Sequence, residues 1–137
     1  MLRDRGLRKT SVADTANSLA RGAFASAQLE GSKIDWAQFE DGSGDEIASA
    51  AMTMASQIIS LVPTWRTAPI QVLARLHALA ASYTDNPGTP VNETGTNRLH
   101  ELSAALLKKT TAPGLIIAAL VHAEVLSAQE FQSHNGM

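Results

Sequence analysis

The chain has 137 residues, a formal net charge of −2, 45% hydrophobic and 18% charged residues, and no cysteine. Such a length can bury a core unaided, and the balance excludes a largely disordered chain. Without cysteine there are no disulfides, thiol catalysis or Cys-based zinc sites, and the near-neutral charge argues against nucleic acid as the main partner.

Arg3, Arg5, Arg8 and Lys9, diluted by Asp4, read as a basic flexible tail over 1–10. Thr10, Ser11, Asp14, Thr15 and Asn17 break up the adjoining stretch, so no secretory segment is expected. The apolar run Leu115 to Val121 is too short to span a bilayer, and the expectation is a cytoplasmic protein without a membrane partner.

Alanine is abundant and no stretch alternates apolar with polar residues for long, which predicts a single all-α domain of about five helices. The first runs from Val12 to Glu30 with a stripe of Val12, Ala16, Leu19 and Ala23, and Gly31 is placed as its left-handed C-terminal cap. The segment from Ser32 to Glu40 is assigned no helix, and Asp41-Gly-Ser-Gly44 reads as a turn. The second helix opens on Asp45 and Glu46, carries Ile47, Ala51, Met54, Ile58 and Leu61, and is expected to stop at Pro63. The third begins at Pro69 and buries Val72, Leu76, Leu79 and Tyr83.

From Thr84 to Thr96 the chain is polar and rich in breakers, a loop or short hairpin. Thr96 is placed as the cap of a fourth helix bearing Leu99, Leu102 and Leu106. A fifth, opened by Ala112-Pro113-Gly114, is apolar on nearly every side from Leu115 to Leu126, which predicts a central position. His77, His100, His122 and His134 show no pairing at helical spacing that would read as a metal site. His77, among Leu76, Leu79 and Ala80, reads as a hydrogen-bonded core or rim residue.

Two segments carry a resemblance. Continuing the stripe of the first helix lands on Ser26 and Glu30, polar residues on an otherwise apolar face. Ser26-Ala27-Gln28-Leu29-Glu30-Gly31 resembles the inhibitory motif of Fic proteins: Ser or Thr, three residues, Glu, then Gly or Asn. The end of the chain, an apolar helix with His122 leading to Phe131 and Asn135-Gly136, is similar to the helix and active loop of Fic domains. The family loop reads His-Pro-Phe-x-Asp/Glu-Gly-Asn-Gly-Arg. Laid over this chain, the catalytic His falls on Gln129, the Pro on Glu130, the acidic metal ligand on Ser133 and the next Gly on His134, while Phe131, Asn135 and Gly136 match. Leu73-Ala-Arg-Leu-His77 and the loop at 84–96 resemble the helix and flap that precede the family's active loop.

The resemblance implies a Fic-like domain over 1–137, with an inhibitory-type helix at 12–31, a flap-like loop at 84–96 and a central helix with remnant active loop at 113–137. It also implies that the family's final helix, with its phosphate-binding arginines, falls beyond Met137. In the family the motif Glu competes with the ATP γ-phosphate for an arginine; here the candidates for that partner are Arg75 and Arg98.

AMP transfer is not expected of this chain. The family His acts as a general base, which Gln129 cannot replace, and Ser133 supplies no charge for Mg²⁺. There is thus no catalytic residue and no metal site, and His134 is a poor substitute base. ATP and Mg²⁺ are implied only by the resemblance. A degenerate adenylyltransferase remnant is the leading expectation. A fragment completed by another chain, an all-α interaction module and an antitoxin-like regulator acting through Ser26 and Glu30 are the alternatives. Losing a neighbour would bare the apolar helix 115–126, predicting a homodimer or a protein partner that covers it.

Overall fold

The computed structural model describes residues 11–81, 85–133 and 135. The basic segment 1–10, Tyr83, Thr84, His134, Gly136 and Met137 lie outside the described residues. The described chain is all-α, with six helices: α1 Val12–Leu29, α2 Trp36–Asp41, α3 Glu46–Trp65, α4 Pro69–Ala80, α5 Glu93–Leu106 and α6 Gly114–Ala128. α1 packs on α3, α3 on α4, α4 on α5 and α5 on α6, the first two contacts being much the more extensive.

The core is built from small residues. Ala23 and Ala27 of α1 meet Ala48 and Ala51 of α3, and the lack of bulk lets the two backbones approach closely. The buried line of α1 is therefore Ala20, Ala23, Phe24 and Ala27, rather than the stripe that begins at Val12. Val12 is 89% exposed because the first turns of α1 project beyond α3.

The short α2 is absent from the sequence expectation, being too brief for a periodic stripe. A capping box makes it: Asp35 Oδ1 accepts from the Gln38 N–H at 2.9 Å, and Gln38 Oε1 accepts from the Asp35 N–H at 2.9 Å. Its Trp36 and Phe39 join Phe24 in an aromatic trio with centroids 5.3–5.8 Å apart. The Arg21 guanidinium lies 4.8 Å from the centre of the Trp36 ring.

Two helix boundaries and the placement of one helix differ from expectation. α3 continues past Pro63 to Trp65, since in a last turn proline removes only one hydrogen bond. α5 starts at Glu93, because Asn92 Oδ1 accepts from the Gly95 N–H at 2.8 Å and caps the helix before Thr96 can. α6, expected to be central, is peripheral. None of its residues is buried, and Leu115 and Leu120 are 80% and 64% exposed.

Among the described residues, α3 is long and apolar enough to cross a membrane by length and composition alone. Here its N-terminal half lies in the core, and Asp45 fixes its start. One oxygen of Asp45 accepts from the Ala48 N–H at 2.9 Å and the other from the Ser32 hydroxyl at 2.8 Å.

Candidate functional site

The last turn of α1 positions the first element of the site. The Gly31 N–H donates to the Gln28 carbonyl at 3.1 Å and the Ser32 N–H to the Ala27 carbonyl at 3.0 Å, with Gly31 at φ +103°. This pair of bonds is the Schellman motif, so a local backbone requirement accounts for glycine at 31. It leaves half-buried Glu30 at the helix end, facing a cleft.

The second element is the C-terminal segment. α6 is capped by Gln129, which takes the left-handed conformation at φ 46° and donates its N–H to the Val125 carbonyl at 3.2 Å. A side chain there is strained. Gln129→Gly is accordingly expected to stabilise the domain by roughly 0.5–1 kcal/mol in urea denaturation. Beyond it the chain turns inward. Phe131 is buried and stacks on His77 of α4 at 4.3 Å and 11° between planes. Asn135 closes the turn, its Nδ2 donating to the Phe131 carbonyl at 2.8 Å and its Oδ1 accepting from the Phe131 N–H at 3.0 Å.

The third element is the loop before α5. The Gly88 N–H donates to His77 Nδ1 at 2.8 Å, so the neutral imidazole carries its proton on Nε2. The Val91 N–H donates to the Glu130 carbonyl at 2.8 Å, tying this loop to the C-terminal segment.

Glu30, Val91, Leu126, Gln129, Phe131, Gln132, Ser133 and Asn135 together line one cleft of about 550 Å³. Ser26 does not reach it. It faces α3 instead, beside Ala51, Met54 and Ala55. Neither expected arginine pairs with Glu30. Arg98 is engaged by Glu124, with Nη2 at 2.6 Å and Nε at 2.7 Å from the same carboxylate oxygen, and Arg75 is exposed. Gly136 and His134, expected in the remnant loop, lie outside the described residues. His122 is exposed and edges an apolar groove of about 490 Å³ between α6, α4 and the end of α3.

No protein-family model, curated protein or solved structure matches this chain.

One residue that sequence reasoning passed over stands out. Glu130 is 0% exposed, and neither carboxylate oxygen has a hydrogen-bond partner among the described residues. Burial pushes its carboxyl up to about 7, the Glu124 charge adds to the rise, and Arg98 opposes it. No periodicity could have marked it, since it lies just past the end of a helix. Among the described residues no cluster of His, Asp and Glu could hold a metal ion.

Proposed function

We propose that this chain is a Fic-like helical domain that keeps the outline of a nucleotide cleft without the groups that transfer AMP, and that it acts by regulation. The observation that supports the reading is convergence. Glu30 from the inhibitory-type helix, Val91 from the flap-like loop and Gln129, Phe131, Gln132, Ser133 and Asn135 from the remnant active loop line a single cleft. Its volume of about 550 Å³ falls in the range that small ligands occupy.

The chemistry of the lining argues for regulation. An amide at Gln129 is not a base at neutral pH, and the Ser133 hydroxyl brings no charge to a metal-bound phosphate. Glu30 places a carboxylate at the cleft while Arg98 is held by Glu124, so a triphosphate entering it meets negative charge without a compensating guanidinium among the described lining residues. A cytoplasmic setting, where ATP is abundant, goes with this reading.

Thermal melts with and without Mg-ATP test it, because a ligand that binds only the folded state raises the midpoint. The native chain should shift little, and Glu30→Gly should shift clearly upward as the repelling carboxylate is removed. An unmoved midpoint in both chains would remove the nucleotide cleft and the Fic-like reading with it.

A second reading, an all-α interaction or antitoxin-like module, is favoured by the bare face of α6. Leu115, Ile116, Leu120 and Leu126 are all exposed there, an unusual density of large apolar side chains. Sedimentation showing a dimer that Leu120→Glu dissociates, in a chain indifferent to ATP, would favour this second reading.

A further inference from the structure

A buried carboxylate without hydrogen bonds is costly when ionised, and its surroundings decide how the cost is avoided. Glu130 lies in the joint between the C-terminal segment and the first turn of α5. A Cβ added to Gly95 would stand 3.3 Å from both its Cα and its carbonyl oxygen, so the two backbones are in close contact. The charged and titratable groups around the joint come from every neighbouring element. Arg98 comes from α5, Glu124 from α6, His77 from α4 through its stack on Phe131, and Glu30 from α1 across the cleft. The guanidinium among them is already paired with Glu124, so this set leaves no spare cation to neutralise Glu130.

Among the described residues the segment is held by contacts that include the Val91–Glu130 backbone bond, the Phe131–His77 stack and the turn closed by Asn135. We propose that the segment from Gln129 to Ser133 is a pH-sensitive latch, docked against α4 and α5 while Glu130 carries its proton and released as that proton is lost. Release separates Phe131 from His77 and takes apart one wall of the cleft that Glu30 faces.

Linkage sets the direction. An opened segment exposes Glu130 to water, where it titrates near 4.5, whereas the docked carboxyl holds its proton up to about 7. Below the lower value both states are protonated and docking does not vary with pH. Between the two values the open state loses its proton first, so the open fraction grows about tenfold per pH unit. Above about 7 both states are ionised and the rise levels off.

Native-state amide exchange of the Val91 N–H, corrected for intrinsic rate, reads this opening directly. Its protection should fall by roughly two orders of magnitude between pH 5 and pH 7 and then level off. Glu130→Gln, which cannot ionise, should stay flat over the same range, while His77, Glu124 and Glu30 are common to both chains. Identical profiles in the two chains would overturn the latch. Should the variant fail to fold, a carbon-detected NMR titration of the Glu130 carboxyl in the native chain decides the matter. A midpoint near 7 supports the latch, and one near 4.5 overturns it.

Discussion

Gly88→Ala is expected to destabilise the domain by about 2–5 kcal/mol. The backbone there stands at φ +80°, a region in which a side chain is strained, and an added Cβ would sit 2.6 Å from the Ala74 carbonyl oxygen. That oxygen belongs to α4 and cannot retreat without opening the helix. The Gly88 N–H also donates to His77 Nδ1, so a shifted turn withdraws the bond that orients the imidazole under Phe131. Gly42→Ala is the control. Its φ is +77° with nothing within 4 Å of the added Cβ, so it should lose only the conformational part, about 1 kcal/mol. Urea denaturation of both variants isolates the clash as their difference, and equal losses would mean that the turn does not approach α4 this closely.

Phe39→Ala should cost about 3–5 kcal/mol, a large share of the ~5–15 kcal/mol that keeps a domain folded. Phe39 is 3% exposed and joins the edge of Phe24 to the face of Trp36. The fully buried residues around it are alanines, which cannot reach into the space, so only partly buried neighbours such as Met52 could relax into it. Phe39→Leu, keeping most of the volume, should cost much less. The emission of Trp36 would report the cavity directly by moving towards the red in the alanine variant. Equal stability of native chain and Phe39→Ala would mean that α2 is dispensable to the core.

Both of these sites lie where local sequence signals were silent. Phe39 sits in α2, whose single capping box was lost among the turn residues around it. Gly88 sits in a loop recognised as polar and rich in breakers, but the contact that demands glycine is with α4, more than ten residues earlier in the chain. The helices that were legible, α1 and α3 to α6, share length, with periodic apolar residues in α1 and α3 to α5 and a continuous apolar run in α6. Their ends were legible where a residue type dictates them, as with Gly31 and Pro69, and misread where two capping residues competed, as with Asn92 and Thr96.

The candidate site was partly legible. Glu30, Phe131, Ser133 and Asn135 were singled out from the sequence, and all four line the same cleft. Ser26, read as part of the same motif, lies one turn earlier within α1 and turns to α3, whereas Glu30 is the C-cap beyond the last helical residue and borders the cleft. Arg98, proposed as the partner of Glu30, is paired with Glu124, a contact between α5 and α6 that no spacing along one helix could have announced.

By itself the sequence determined the all-α class, because alanine-rich segments with a period near that of the helix can bury a face in no other way. It also determined that the segment after α6 carries glutamine at 129 and serine at 133, side chains that are neither bases nor charged at neutral pH. Only the tertiary structure decided which apolar faces are covered. α1 and α3 share a core of alanines, whereas the most apolar helix, α6, stays at the edge with its leucines bare. It alone decided that Glu130 is sealed from water beside an arginine already paired elsewhere. Burial depends on what the rest of the chain brings to a residue, and a carboxylate looks the same in sequence whether it faces solvent or a closed joint.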